Sequence, residues 1–227
     1  MVNYIVLAEH PWGIQLFGEL TKYKGNWHLA SSTSELTNMV DILKPRYIFV
    51  TFWHEKVPKE ITDNYECVGF HPSALPVGRG GSPIQHYILD GVTSTPLFTF
   101  RLNDEIDGGD LYSIYLSANL RLYGSAEEIY LREARILREL IGLIVKTEPR
   151  AFPQSGDPTY LKRRTPEESK IPKLDTLEKL HDFIRMLDAE DYPKAFIEYE
   201  GFRFDFTRAV LRTGRIVADV EIVQSKV

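Results

Sequence analysis

Short apolar runs alternate with stretches of helical spacing through the first half of the chain, and this alternation limits the fold more than any other feature. A strand buried on both faces reads as an unbroken apolar run. A helix between two such strands carries the chain back to the start of the next, so the pattern predicts βαβ units around a mostly parallel sheet. Residues 4–8 read as the first strand, 14–23 as a helix and 27–30 as a second strand. Residues 35–43 form a second helix, closed at Pro45 because the residue before a proline avoids the helical region. Residues 46–52, with Ile48, Phe49 and Val50 contiguous, give the clearest central strand, and residues 67–70 another. A Ser-Pro start predicts a helix over 82–89, and residues 95–102 and 111–116 read as strands joined by an Asp-Gly-Gly-Asp turn.

Beyond these, Ser125 and Glu128 are spaced as a capping box, and Tyr130, Ala134, Leu137, Ile141 and Ile144 predict a long helix to about Val145. The stretch 149–172 holds five prolines among many charges and reads as a linker. Asp175 is expected to cap one more helix, with Leu177, Leu180, Ile184 and Leu187 inward. Residues 196–199, 202–210 and 216–223 close the chain as an antiparallel unit, with turns at Glu200-Gly201 and Thr213-Gly214. Alternation puts Phe202, Phe204 and Phe206 on one face. The expected organisation is a Rossmann-like α/β domain over 1–148 with helices on both faces of its sheet, a Pro-rich linker over 149–174, and a small α+β subdomain over 175–227.

The net charge of −5 gives no overall basic field for nucleic acid. The single cysteine, Cys67, excludes an intrachain disulfide and sits in an apolar run, as an inert buried thiol does. The start of the chain has neither a basic segment nor a long apolar one, so a cytoplasmic protein with no membrane partner is expected. No residue spacing suggests a metal site.

Two segments carry chemistry. His71 directly follows an apolar run and opens a loop with Pro72, Ser73, Pro76, Gly78, Arg79, Gly80 and Gly81, which delivers an imidazole to the carboxyl end of a buried strand. Downstream, Ile106-Asp107-Gly108-Gly109-Asp110 places a carboxylate in a second glycine turn. Imidazole titrates near physiological pH and a carboxylate can orient it, so the two are the parts of a general acid/base site.

The pattern His71-Pro-Ser-x-Leu-Pro-x-x-Arg79-Gly-x-x-Pro83, followed by Asp107-Gly-Gly-Asp, resembles the formyltransferases that use 10-formyltetrahydrofolate. Lys44-Pro45-Arg46-Tyr47 with Val57-Pro58, and Arg163-Arg164-Thr165-Pro166, extend the resemblance. It implies an enzyme with His71 as general base and Asp107 orienting it or relaying the proton. It implies a folate pocket lined by Trp53, His54, Lys56, Val57, Ile106, Gly108, Gly109 and Asp110, held largely through backbone groups. His10, Trp12, Arg79, Gly80 and Ser82 are expected on the amine-bearing substrate, Arg79 on a phosphate.

This sequence departs from the family at Gly69, where the family has the asparagine that donates to the formyl oxygen. Asn103, Gln85 or a backbone N–H are the replacement donors to consider. The short tail, the acidic balance and the Arg-Arg-Thr-Pro segment resemble the branch that formylates sugars. The expected acceptor is therefore a nucleotide-linked amino-dideoxysugar, in bacterial polysaccharide biosynthesis. The alternatives are methionyl-tRNA, a ribonucleotide, or a catalytically silent folate-binding relative. Tyr199, Phe202 and Phe204 would serve a homodimer surface.

Overall fold

The computed structural model describes residues 1–112 and 117–225. In chain order these form β1 (Asn3–Leu7), α1 (Pro11–Leu20), β2 (Asn26–Ala30), α2 (Thr33–Leu43), β3 (Tyr47–Val50), α3 (Lys59–Asn64) and β4 (Cys67–His71). Next come β5 (Arg79–Gly80), α4 (Pro83–Leu89), β6 (Ser94–Arg101), β7 (Leu111–Tyr112), β8 (Ser117–Arg121) and α5 (Ala126–Thr147). The chain closes with β9 (Ala151–Phe152), β10 (Tyr160–Leu161), α6 (Leu177–Arg185), β11 (Ala195–Tyr199), β12 (Phe202–Arg212) and β13 (Arg215–Gln224). Of the strand expected at 111–116, only its first two residues lie within the described set.

Two compact units divide the chain. The first takes Met1–Gly80, Pro96–Leu120 and Leu131–Tyr160, and the second Gly81–Thr95, Arg121–Tyr130 and Leu161–Val227. This division differs from the expected cuts at 148 and 174. Residues 149–174 are not a bare linker: β9 pairs antiparallel with β7, and a 3-10 turn, Pro166–Ser169, carries its own capping box. The prolines of this stretch flank those pieces rather than interrupt them, and short edge strands tolerate such neighbours.

The main sheet runs β2-β1-β3-β4-β6-β7-β9, with β8 also on β6. Its first four strands are parallel, as the apolar runs predict; β6, β7 and β9 extend it antiparallel. In the first unit, Ile5, Leu7, Ile48 and Cys67 pack with Leu36, Val40 and Ile61. The alternate residues Tyr4 and Phe49 meet Trp27 ring to ring and Tyr47 meets both of them, with centroids 4.7–6.4 Å apart. Both faces are thereby filled, and each buried large side chain contributes about 1.5–3 kcal/mol. Burial pushes the Cys67 thiol up to about 12, which leaves it inert.

Local signals set the helix ends. Ser32 Oγ accepts the Glu35 N–H at 3.1 Å, and Lys44 closes α2 at φ 45° just before Pro45. Pro11 starts α1 three residues earlier than the apolar spacing suggests, because proline suits a first helical turn. The Ser125–Glu128 box forms with both reciprocal bonds, at 3.2 and 2.9 Å. On α5, Leu137, Ile141 and Ile144 are buried, and so is Glu133, at 5% exposure.

In the second unit, α6 is capped by Thr176, whose Oγ1 accepts from the Lys179 N–H, rather than by Asp175. The Asp175 carboxylate instead pairs with the Lys179 ammonium at 2.9 Å. Phe183, Ile184, Met186 and Leu187 are the buried residues at its end. β11, β12 and β13 form the expected antiparallel sheet, with Glu200 and Gly201 both at positive φ in the hairpin turn. Tyr199 and Phe202 are 67% and 49% exposed, and Phe204 and Phe206 half-buried, so the aromatic stripe is only partly covered. No helix among the described residues is long and apolar enough to cross a membrane.

Candidate active site

β4 ends on His71, which places its ring at the carboxyl edge of the sheet with only 5% of the residue exposed. His71 Nε2 lies 2.8 Å from the Gly78 carbonyl oxygen. A carbonyl only accepts, so Nε2 carries the proton, and Nδ1 is the nitrogen that can take one. Nδ1 faces Asp107 Oδ2 at 3.5 Å. The same carboxylate oxygen accepts the Gly80 N–H at 2.8 Å, tying the loop after His71 to the Asp-Gly-Gly loop.

The Asp-Gly-Gly loop is fixed by its backbone. Asp107 stands at φ 48°, in the left-handed region. A Cβ on Gly109 would lie 1.6 Å from the Arg101 carbonyl oxygen, so only glycine lets the chain pass there. Gln154, unremarked in the sequence, locks the arrangement. Its Nε2 donates to the carbonyl oxygens of Asp107 and Gly109, both at 2.7 Å. Its Oε1 accepts from Arg79 Nη2 at 2.8 Å and Nε at 3.2 Å. One amide thus satisfies two carbonyls and a buried guanidinium. The only sequence hint was the apolar pair Ala151-Phe152 just before it, which marks a strand bringing the segment to the sheet.

The expected substrate residues are placed differently from one another. Arg79, 6% exposed, spends its guanidinium on Gln154 and on Glu105 at 3.3 Å, and so braces the loops rather than projecting toward a phosphate. Trp12 is 1% exposed, its indole part of the core, with the His10 ring stacked on it at 5.0 Å. Gly80 contacts Asp107 directly. Ser82 belongs to the second unit, where its Oγ accepts the Arg164 N–H at 3.2 Å.

Of the expected folate residues, the Val57 side chain lies in the core cluster with Trp53 packed against it, which leaves their backbone for a ligand. Lys56 pairs with Asp104, and His54 Nδ1 lies 2.6 Å from Glu9 Oε1. Ile106 is 65% exposed, Gly108 is half-buried, Asp110 is exposed, and Gly109 is buried against Arg101.

The replacement for the family asparagine is narrowed by contacts. A Cβ at Gly69 would fall 2.5 Å from Leu102 Cδ1 and 2.8 Å from the Phe100 ring, so apolar groups fill that space. Gln85 is excluded as a donor: its amide nitrogen serves the Tyr130 hydroxyl at 3.0 Å and the Met186 carbonyl at 3.2 Å, within the second unit. Asn103 uses its Oδ1 on the Glu105 N–H, which leaves its amide nitrogen as the donor end.

Known proteins are similar to this chain. Residues 19–119 match the family model described as formyl transferase, and residues 166–223 that of the methionyl-tRNA formyltransferase C-terminal domain. The methionyl-tRNA formyltransferase of Alkaliphilus oremlandii is 30% identical over 175 residues, 74% of this chain and 56% of that protein. The chain spans about half the length of the curated relatives it matches. A solved structure named methionyl-tRNA formyltransferase, from Clostridium thermocellum, is 38% identical, with a TM-score of 0.94 over 99% of this chain and 100% of that one. A Mycobacterium tuberculosis structure described as a likely sugar N-formyltransferase has the same fold, with a TM-score of 0.69 at 16% identity over 100% of this chain and 99% of that one. With its His71–Asp107 pair, its glycine loops and a relative alike from end to end, the chain belongs to the formyltransferase family.

Proposed function

We propose that the protein transfers a formyl group from 10-formyltetrahydrofolate to the primary amine of methionyl-tRNA. The observation that carries the chemistry is the His71–Asp107 pair, held at 3.5 Å by two glycine loops that bond to each other. The acceptor rests on the 38% identical relative and on the match of residues 166–223 to the tRNA enzyme's C-terminal domain.

In this reading the amine nitrogen attacks the formyl carbon and its proton passes to His71 Nδ1, directly or through Asp107. The Asp107 carboxylate stabilises the imidazolium that forms. As the tetrahedral intermediate collapses, the bond from the formyl carbon to N10 breaks and N10 takes up a proton, giving the N-formyl product and tetrahydrofolate. The oxyanion has no side-chain donor at Gly69, so Asn103 or a loop N–H supplies the hydrogen bond. A missing donor costs roughly 10²–10³ in rate, which makes this the step most exposed to the departure from the family pattern.

One observation favours a second acceptor. The net charge of −5 opposes a polyanion and suits a smaller amine, a nucleotide-linked amino-dideoxysugar. Incubation with 10-formyltetrahydrofolate and either methionyl-tRNA or a panel of such sugars, read by the mass gain of one formyl group, separates the two. His71→Asn and Asp107→Asn should each abolish transfer while folate binding persists. Full activity in either variant refutes the catalytic assignment, and folate binding with no product from any amine identifies a silent relative.

A further inference from the structure

The first unit gathers a second group of titratable side chains, apart from the His71–Asp107 pair. Glu9 and His10 follow β1, and His54 follows β3. These strands are neighbours, and the strand order turns between them, with β2 on the far side of β1 and β4 on the far side of β3. In open α/β sheets the crevice beyond the strand ends at such a turning point is where ligands bind.

One donor atom from each of Glu9, His10 and His54 lies within 4.8 Å of the other two. Glu9 Oε1 is 2.6 Å from His54 Nδ1, yet this water-excluded oxygen makes no hydrogen bond of acceptable geometry. A carboxylate oxygen and an imidazole nitrogen that face each other without a directed bond can both turn their lone pairs on a cation once they move slightly apart. The His10 ring is set in advance: it stacks on the buried Trp12, and its backbone caps α1 by accepting from the Gly13 and Ile14 N–H groups. The helix start carries partial positive charge, which the full charge of Glu9 offsets.

We propose that Glu9, His10 and His54 form a binding site for one divalent transition metal of the zinc class. Two imidazoles and a carboxylate suit zinc, cobalt or nickel, whereas calcium and magnesium prefer oxygen alone. Three protein ligands leave a coordination position for water or for an anionic group of a ligand. Tetrahedral binding at about 2.0–2.2 Å sets ligand atoms about 3.4 Å apart, so the Glu9–His54 pair must open and any wider pair draw in, which the exposed His54 loop permits by side-chain rotation. The ion would clip the loops after β1 and β3 together.

The test needs neither folate nor amine, so its outcome is independent of the transfer reaction. The full chain, stripped with a chelator and dialysed, is titrated with Zn2+ alone by calorimetry and with Co2+ alone by visible absorption. One saturable site with nitrogen-ligated cobalt bands is expected. Glu9→Gln, His10→Ala and His54→Ala should each weaken it at least ~10-fold, while His181→Ala, in the second unit, leaves it unchanged. Thermal melts of the metal-free variants control for folding, and His54→Gln, which keeps a polar side chain, stands in if His54→Ala melts early. No saturable uptake by the native chain, or undiminished uptake by the His54 variants, overturns the site.

Discussion

Replacing Gln154 with alanine removes four hydrogen bonds at once, two to backbone carbonyls and two to a guanidinium. A neutral bond contributes about 0.5–1.5 kcal/mol net and a charged one about 1.5–3. The sum, ~4–9 kcal/mol, is an upper limit because Gln154 is half-buried and water recovers part of it; a loss of ~2–4 kcal/mol is expected. For a chain of this length that lowers Tm by roughly 5–15 °C. Asp107, held at φ 48°, would lose its anchor, and displacing a catalytic group by about 1 Å costs on the order of 10² in kcat. Gln154→Glu separates the two roles. It keeps acceptors and adds charge for Arg79, but turns an oxygen toward the carbonyls, so stability should largely return while kcat stays low. Thermal unfolding and single-turnover formyl transfer read the two effects. A Tm within about 1 °C of the native value together with kcat within about two-fold would refute the reasoning.

Glu133 is held protonated by burial, its carboxyl pushed up to about 8. Between its ordinary value and that one the folded state binds a proton the unfolded state releases, so stability falls as pH rises, by ~1.4 kcal/mol per unit. Glu133→Gln should flatten this slope in urea titrations run from about pH 5 to about pH 8; an unchanged slope disproves it. Gly109→Ala forces a methyl into the Arg101 carbonyl and should cost more than ~3 kcal/mol, visible as a collapsed Tm or insoluble protein. Gly69→Asn, which writes in the family residue, should lower stability by about 1–3 kcal/mol and gain no rate, because Phe100 and Leu102 occupy the space. Pairing it with Phe100→Ala should recover rate, and a gain from Gly69→Asn alone would show that the ring yields.

The buried parallel strands were readable because contiguous apolar residues have no other use at that length: β1, β3 and β4 fall within two residues of their expected ends. The three-residue offset of α1 has a plain cause, since Pro11 sets the start while apolar spacing marks only the inward face. α3, with Ile61 and Thr62 its buried residues, and β8, largely polar, carry too little periodicity to be seen. Asp175 and Thr176 are both good caps, and register alone decides for Thr176. His71 and Asp107 were legible because one directly follows an apolar run and the other lies just past one, each at a glycine loop. Gln154, a lone amide among prolines, was not, and neither was the meeting of His10 with His54, whose loops follow different strands.

The antiparallel pairing of β9 with β7 has a consequence for the order of synthesis. The brace on Asp107 comes from Gln154, and the loop after His71 is held by Thr159, whose backbone oxygen accepts the Arg79 N–H and whose hydroxyl accepts the Gly78 N–H. A nascent chain that ends before these residues contains every strand of the parallel half and both members of the pair, but lacks the braces of Gln154 and Thr159. The ribosome must release some seven-tenths of the polypeptide before both braces are in place, so the catalytic loops are completed only after the parallel strands have been made.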